Sequence, residues 1–181
     1  MGETVIQVSS LGKRIKGKTI LEDISFEINK GDCVALIGPN GAGKTVLMSC
    51  ILGDKKPSSG QVLIDGKAGK AKNQIAVLLQ ENTIPNSLKV SELIAFFQAI
   101  SDNPLTNQEV QDLLQFKGDQ YQQFADKLSG GQRRLLAFVL CLIDKPKILF
   151  LDEPTAGMDT STRQRFWEIV NDLKKAGTTI L

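Results

Sequence analysis

The residues with the clearest chemistry form one glycine-rich stretch, Gly38-Pro39-Asn40-Gly41-Ala42-Gly43-Lys44-Thr45. An apolar run at residues 33–37 precedes it and another at residues 46–52 follows it, which predicts a strand, a loop and a helix. In that context the loop exposes backbone N–H groups to phosphate oxygens, and the helix N-terminus adds its positive dipole. Lys44 is expected to reach the β- and γ-phosphates, and the Thr45 hydroxyl to ligate Mg²⁺. The stretch therefore predicts a nucleoside triphosphate site rather than a turn that binds nothing.

A second group is the acidic pair Asp152-Glu153, which directly follows the apolar run Ile148–Leu151. Just past a rigid strand, Asp152 can hold Mg²⁺ through water on the side opposite Thr45. Glu153 leaves the chain in another direction and can polarise the attacking water, since a chain without histidine must use a carboxylate as its base. Alone, such a pair would be ordinary charge at the start of a loop. After a phosphate-binding loop and an apolar strand, the catalytic interpretation is favoured.

The segment Leu128-Ser129-Gly130-Gly131-Gln132 offers an anion site of a different kind. A serine and two glycines at a helix start present a hydroxyl, free N–H groups and a positive dipole end. A plain N-cap would explain Ser-Gly-Gly in most proteins, but the full five-residue sequence is far more specific.

These motifs, in this order and at these spacings, resemble the nucleotide-binding domain of ABC transporters. The resemblance covers essentially the whole chain and includes Gln80. It also includes Asp159, because Ala156-Gly157-Met158-Asp159 resembles that family's D-loop. Residues 85–93 and Gln132-Arg133-Arg134 look most like bacterial subunits that export drugs or polysaccharides.

The resemblance implies that two such domains dimerise head to tail, with ATP between residues 38–45 of one chain and residues 129–132 of the other. Two phosphate-binding helix ends are indeed too many for one nucleotide. It also implies that Gln80 senses Mg²⁺ and links to a transmembrane transporter subunit, gripped by a helical insert at about residues 81–126. The implied function is the ATP-hydrolysing subunit of a transporter, most like an exporter, peripheral on the cytoplasmic face of the membrane.

With ATP and Mg²⁺ as cofactors, the expected site residues fall into three groups. The predicted catalytic residues are Glu153, Lys44 and Gln80. The predicted metal ligands are Thr45, Asp152 and Gln80. The residues expected to contact ATP are Gly38, Pro39, Asn40, Gly41, Ala42, Gly43, Lys44, Thr45, Ser129, Gly130, Gly131, Gln132 and Asp159.

Two other function classes compete with a transporter subunit. Soluble ABC proteins of genome maintenance carry long coiled-coil insertions, and the short insert here excludes them. Ribosome-associated members carry two such domains, whereas this chain has one. A regulatory module that binds nucleotide without turnover is the third class. Glu153 argues against it for the parent protein, whereas the expected C-terminal truncation argues for it in this chain. The soluble ATPase and the regulatory module stay open as alternatives.

The composition of the chain excludes several classes of partner and site and indicates a cellular compartment. The net charge of +2 argues against a nucleic-acid partner, and the basic stretch at residues 67–72 has no interleaved aromatic residues. The absence of histidine excludes Ser-His-Asp triads and histidine zinc sites. Cys33, Cys50 and Cys141 lie in apolar runs, so buried, reduced thiols are expected. The longest apolar run, residues 135–143, is shorter than the about 18 residues of a membrane span, so cytosolic residence is expected.

The remaining pattern predicts an α/β fold, a P-loop NTPase core with a mostly parallel sheet, antiparallel N-terminal strands and an inserted helical subdomain. Alternating residues predict half-buried strands at residues 4–8 and 24–28, and an edge strand is expected at residues 61–64. Continuous apolar runs predict buried strands at residues 33–37, 75–79 and 148–151, and residues 178–181 begin a further strand. The expected division is a first core part at 1–80, a helical subdomain at 81–126 and a second core part at 127–181.

Helical spacing dominates the insert. Leu93, Phe96, Phe97 and Ile100 fall at positions that share one helix face, which predicts a single apolar stripe and a small core of the insert's own. Thr106 and Glu109 form a capping box that opens a second helix. A further helix is expected at residues 133–143, and an amphipathic one before Gly177.

Three features depart from the family's pattern. Ile15 stands where an aromatic residue usually stacks on adenine, and because such stacking contributes about 1–3 kcal/mol, weaker nucleotide binding is expected. Val46 replaces a second hydroxyl residue after Thr45. The chain ends within the strand begun at residues 178–181 and lacks the family's switch histidine. We therefore expect a fragment or truncated product that binds nucleotide but hydrolyses it poorly, although its parent is an ATPase.

Overall fold

The computed structural model describes residues 2–68, 75–80, 84–85 and 87–181. Most of the basic stretch at residues 67–72 and the first three residues of the predicted insert, 81–83, lie outside the described residues. The chain forms an antiparallel sheet, a parallel sheet and five α-helices within the described residues, which confirms the α/β class.

Three strands build the antiparallel sheet at the N-terminus. They are β1 (Thr4–Ile15), β2 (Lys18–Asn29) and β3 (Ser59–Ile64), and β1 lies in the centre. A two-residue turn with positive φ at Lys16 and Gly17 joins β1 to β2, the geometry of a tight hairpin. Both strands have 12 residues and are longer than the predicted segments 4–8 and 24–28. Register shifts along the β1–β2 pair interrupt the alternation on which the shorter prediction rested.

The parallel sheet contains β4 (Ile75–Leu78), β5 (Ile148–Leu151) and β6 (Thr179–Ile180) in the order β4-β5-β6. The central strand β5 confirms the predicted buried strand, since Leu149 and Phe150 are fully buried. Its carboxyl end leads directly into Asp152 and Glu153, and the neighbouring strand β4 leads to Gln80. The sheet therefore brings the polar residues after two adjacent strands to one edge.

The predicted buried strand at residues 33–37 does not form. One parallel bridge joins Cys33 to Ile180, and Val34 N–H donates to the Ile180 carbonyl at 2.8 Å. Beyond this bridge, residues 34–37 belong to no strand. Ile37 is 95% exposed, although its sequence context is apolar.

The expectation of three buried cysteines is wrong for Cys33, which is exposed beside that bridge. Cys50 is buried in helix α1 (Lys44–Ile51), and burial raises its pKa. Cys141 is partly exposed, its thiol donates to the Val77 carbonyl at 3.4 Å, and burial raises its pKa to about 11. Both of these thiols are therefore protonated at neutral pH.

Two helices form the insert within the described residues. They are α2 (Val90–Ala99) and α3 (Asn107–Leu114), followed by 3₁₀ turns at Gly118–Gln122 and Ala125–Lys127. The capping box of α3 is confirmed, since Glu109 N–H donates to Thr106 Oγ1 at 3.2 Å and Thr106 N–H donates to Glu109 Oε2 at 2.7 Å.

The apolar face of α2 differs from the prediction. Val90, Leu93 and Ile94 are buried, whereas Phe96 and Ile100 are 56% and 64% exposed. The buried side of the helix is therefore rotated toward Val90 and Ile94, and the two exposed side chains lie on the outer surface.

The insert shares its core with two long helices, α4 (Gly130–Leu142) and α5 (Thr160–Lys175), instead of having a core of its own. Phe138 of α4 and Phe166 of α5 are fully buried, with ring centroids 4.4 Å apart. Arg165 of α5 donates to the backbone carbonyls of Asp112 and Leu113 at the end of α3. A cation at that end also opposes the negative pole of the helix, so this contact fastens the insert to α5.

No helix in the described part of the chain is both long enough and apolar enough to cross a membrane.

The shared core predicts a large difference between two phenylalanine substitutions. We expect Phe138→Ala to lower the free energy of unfolding by about 3–5 kcal/mol, because it leaves a cavity between α4 and α5. Phe96→Ala, which removes the same side chain from an exposed position, should change it by about 0.5 kcal/mol or less. Urea denaturation of both variants measures this, and equal losses would contradict the packing described here.

Candidate active site

The glycine-rich loop at residues 38–43 leads into α1, which begins at Lys44. Gly43 is the N-cap and has φ +92°. A Cβ at this position would lie 2.9 Å from Leu21 Cδ2 and 3.3 Å from the Ile20 carbonyl, so β2 and the loop can touch only at a glycine. The contact fixes the start of α1, whose free N–H groups face the loop.

Lys44 lies across this loop. Its ammonium donates to the Gly38 carbonyl at 2.7 Å and to the Pro39 carbonyl at 2.9 Å. These bonds hold a positive charge inside an exposed loop of backbone groups. A phosphate oxygen can replace a carbonyl as the acceptor without a change of helix position, as the sequence predicts for this residue.

Thr45 and Asp152, two of the three predicted metal ligands, meet although they are 107 residues apart in sequence. Thr45 Oγ1 donates to Asp152 Oδ2 at 3.1 Å, and Asp152 is only 7% exposed. A hydroxyl and a carboxylate are oxygen ligands of the kind that Mg²⁺ takes, with phosphate and water oxygens completing its shell. Among the described residues no group of three or more His, Cys, Asp or Glu side chains is arranged to hold a metal ion.

Gln80 and Glu153 form a second contact at the same sheet edge. Gln80 Nε2 donates to Glu153 Oε2 at 3.0 Å. The backbone of Glu153 is left-handed, with φ +45°, a conformation that costs a residue with a Cβ about 1–2 kcal/mol. Neighbouring groups must therefore stabilise the turn that aims this exposed carboxylate.

Arg134 supplies such groups and was missed in the sequence analysis. It is 9% exposed and lies at the carboxyl ends of β4 and β5, where it donates to five backbone carbonyls. Burial lowers its pKa, but a guanidinium stays charged at neutral pH. A charged residue directly before the apolar run 135–143 was the available signal, since arginine is rarely buried without partners.

Ser129 caps helix α4, which begins at Gly130 and so starts three residues before the predicted residue 133. Gln132 N–H donates to Ser129 Oγ and Ser129 N–H donates to Gln132 Oε1, both at 3.1 Å. The serine hydroxyl thus serves the helix as a cap. The N–H groups of Gly130 and Gly131 have no acceptor within the helix and are available to an anion.

Asp159 caps helix α5 beside this segment. Its carboxylate accepts from Thr162 N–H at 2.9 Å, Ser161 Oγ at 2.7 Å and Thr162 Oγ1 at 2.8 Å. The hydrogen bond from the Thr162 backbone N–H holds the pKa of Asp159 well below its usual range, and the hydroxyls of Ser161 and Thr162 add to this effect. The charged carboxylate of Asp159 is therefore hydrogen-bonded to the first turn of α5.

Gly131 packs closely on the loop before α5. A Cβ at Gly131 would lie 3.2 Å from Asp159 Oδ2 and 3.3 Å from Met158 Cα. A Cβ at Gly130 would meet no atom of the described chain within 4 Å. The two neighbouring glycines therefore have different roles, since only Gly131 permits this approach.

The family model described as "ABC transporter" matches residues 21–156, well over half of the chain. The chain belongs to the ABC transporter family. It is 34% identical over 188 residues to Nod factor export ATP-binding protein I of Ralstonia nicotianae, covering 98% of this chain and 58% of that protein. It is 33% identical over 170 residues to high-affinity branched-chain amino acid transport ATP-binding protein BraG of Pseudomonas aeruginosa, covering 88% of this chain and 73% of that protein.

The fold is that of solved ABC cassettes. One ATP-binding subunit of an ABC transporter superposes with a TM-score of 0.84 at 26% identity, covering 98% of this chain and 78% of that structure. Compared with the Ralstonia relative, the present chain spans little more than half of that protein's length. The comparison confirms the resemblance on which the fold class was predicted.

The ABC motifs divide into two groups in this structure. The first group lies where α1, the helix that follows the P-loop at residues 38–45, meets the ends of β4 and β5, and it contains Lys44, Thr45, Gln80, Asp152 and Glu153. A cavity of about 290 Å³ borders Lys44, Asp152 and Glu153. The second group contains residues 129–132 and Asp159, with Gly131 packed against Asp159. Among the described residues no hydrogen bond joins these two groups.

The contact between α4 and the D-loop predicts different effects of two alanine substitutions. Gly131→Ala should lower the free energy of unfolding by about 1–3 kcal/mol relative to Gly130→Ala, because its Cβ presses on the Met158 backbone. Both variants replace a helical glycine with alanine, so the gain in helix propensity is similar in each and largely cancels when their stabilities are compared. Urea denaturation gives the difference, and equal stability of the two variants would contradict the close approach.

Proposed function

We propose that this chain is the ATP-binding subunit of an ABC transporter and hydrolyses MgATP with Glu153 as the residue that activates water. The observation that supports this most is the meeting of two contacts at one sheet edge, Thr45 with Asp152 and Gln80 with Glu153. Both contacts lie beside the N-terminus of the P-loop helix, where a triphosphate is stabilised by N–H groups and by the charge of Lys44.

Each predicted residue has a part in this proposal. Residues 38–45 hold the β- and γ-phosphates, with Lys44 exchanging its loop carbonyls for phosphate oxygens. Thr45 and Asp152 would hold Mg²⁺, with Gln80 reaching it from the end of β4. When bound, Mg²⁺ supplies positive charge that neutralises the β- and γ-oxygens.

Glu153 accepts the proton of a water that attacks the γ-phosphorus, while the bond to the bridging oxygen breaks and ADP leaves. The Gln80 amide holds the carboxylate by one oxygen and leaves the other oxygen to the water. Positioning of this kind is the main contribution that a protein makes to phosphoryl transfer.

We further propose that two copies share each nucleotide. The N–H groups of Gly130 and Gly131 at the start of α4 form a second anion site, apart from the P-loop of the same chain. A head-to-tail dimer would place residues 129–132 of one copy, with Asp159 nearby, on the γ-phosphate bound by the other. The division of the chain into segments 1–80, 81–126 and 127–181 stays a prediction within this proposal.

The partner in this proposal is a transmembrane transporter subunit, which would hold the chain on the cytoplasmic face of the membrane. Phe96 and Ile100 support it, because α2 presents these large apolar side chains on its surface. We favour export as the direction because the Ralstonia relative is named for Nod factor export, while BraG is named for amino acid transport and makes import the alternative.

Steady-state ATP hydrolysis tests the proposal. We expect Glu153→Gln to lower kcat by about 100-fold or more, since general base catalysis is lost, and to leave the Kd for MgATP within about threefold of its original value. The matched control is Glu168→Gln, which alters an α5 carboxylate paired with Arg165 and should keep its turnover. Unchanged turnover in Glu153→Gln would exclude Glu153 from catalysis. MgATP binding without Glu153-dependent turnover would instead favour the regulatory module.

A further inference from the structure

The guanidinium of Arg134 joins three segments of the chain. Nε donates to the Pro154 carbonyl at 3.1 Å, and Nη1 donates to the carbonyls of Leu79 and, at 3.1 Å, Gln80. Nη2 donates to the carbonyls of Asp152 at 3.0 Å and Glu153 at 3.4 Å. The acceptors follow two adjacent strands, β4 and β5, and the donor lies in the second turn of α4.

These contacts use all the donors that arginine has. A guanidinium carries five N–H groups in a rigid plane, and five carbonyl oxygens receive them. Within the part of the chain that the structure describes, no carboxylate lies within ion-pair distance of Arg134. Backbone carbonyls accept all five of its hydrogen bonds, with the carboxylate of Asp152 adding a favourable charge interaction, so the guanidinium fixes backbone positions.

We propose that Arg134 is a positioning residue for the hydrolytic pair Gln80–Glu153. Its guanidinium holds the carbonyls of both residues and of both neighbours of Glu153, and so stabilises the left-handed turn at φ +45°. The 3.0 Å contact between Gln80 Nε2 and Glu153 Oε2 then follows from the fixed backbone on each side. This role rests on the proposed function of Glu153.

The same arginine connects this pair to the residues that cap α4. Arg134 lies one helical turn after Gly131, which packs on Met158 and Asp159. The first two turns of α4 therefore contact the D-loop on one side and the catalytic strand ends on the other. A displacement of residues 129–132 by a second copy would reach Glu153 through Arg134, by direct contact along a single helix.

Arg134→Lys is the variant that separates positioning from charge. Lysine keeps the positive charge but donates from one nitrogen atom, and it cannot span five carbonyls that a planar fork reaches. The matched control is Arg133→Lys, one residue earlier on the same helix, where the arginine donates to the Asp126 carbonyl at 3.2 Å and not to the strand ends. Thermal unfolding followed by circular dichroism establishes that both variants are folded.

Hydrogen exchange by mass spectrometry measures the positioning without any nucleotide. Two amides report on it, Asp152 N–H, bonded to Leu78, and Ala156 N–H, bonded to Glu153. We expect peptides that contain them to exchange about tenfold faster or more in Arg134→Lys, because local opening becomes easier. A peptide from α1, where Leu47 N–H bonds to Gly43, should be unchanged, as should all peptides of Arg133→Lys.

Steady-state kinetics with MgATP then measure the catalytic consequence. We expect Arg134→Lys to lower kcat by roughly 10- to 100-fold with KM changed by less than about threefold, because the P-loop is untouched and the misplacement concerns the reacting groups. Arg133→Lys should keep both constants.

Hydrogen exchange and kinetics together distinguish a failure of the positioning role from a failure of the proposed function. Unchanged exchange at Asp152 and Ala156, or an equal increase throughout a folded Arg134→Lys chain, would overturn the positioning role. Faster local exchange with an unchanged kcat would overturn its catalytic consequence. Absence of Glu153-dependent turnover in the original chain would contradict the proposed function, while the exchange comparison would still decide whether Arg134 positions the strand ends. Should Arg134→Lys not fold, Arg134→Gln, which keeps a planar donor group, takes its place.

Discussion

The site depends on a concentration of polar groups at the carboxyl ends of two neighbouring strands, the partly buried β4 and the mostly buried β5. Parallel strands end at the same edge, so Gln80, Asp152 and Glu153 arrive side by side. The carbonyl of Asp152 is buried and those of Gln80 and Glu153 are partly buried, so leaving them without hydrogen-bond partners would be costly. One guanidinium meets these three carbonyls and two neighbouring ones, and Thr45 meets the buried carboxylate of Asp152. Arg134 therefore supplies hydrogen bonds to these carbonyls and, in our proposal, also positions the catalytic residues.

Local sequence signals predicted the parts of the structure that local physics determines. The start of α1 after Gly43 and the capping box at Thr106 and Glu109 depend on residues within one helical turn, and both were confirmed. The buried strand Ile148–Leu151 was confirmed because four apolar residues in the centre of a sheet have no other suitable environment. The pairing of Thr45 with Asp152 agrees with their predicted common role at one Mg²⁺ site.

Long-range contacts decided the features that the sequence did not reveal. Residues 33–37 have strand composition, but they pair with β6 only through the bridge between Cys33 and Ile180, and Ile37 is exposed. Helix α2 packs against α4 and the 3₁₀ turn at Gly118–Gln122, and these contacts bury Val90 and Ile94 while Phe96 and Ile100 stay exposed. Arg134 could not be assigned a role beforehand, because its five acceptors come from segments 18 to 55 residues away.

In our proposal, a complete nucleotide site needs two copies of the chain, because the ABC motifs form two separate groups. The first group contains the loop at residues 38–45 and Glu153, for which we propose phosphate binding and water activation. The start of α4 presents the backbone N–H groups that we propose as a second anion site. The central claim is that these groups meet between two copies around MgATP. Sedimentation velocity of the Glu153→Gln chain, with its slowed turnover, tests that claim most directly. The account predicts a dimer at saturating MgATP, a monomer with MgADP, and a monomer under both conditions when Lys44→Ala is added. A monomer that is fully occupied by MgATP would contradict it.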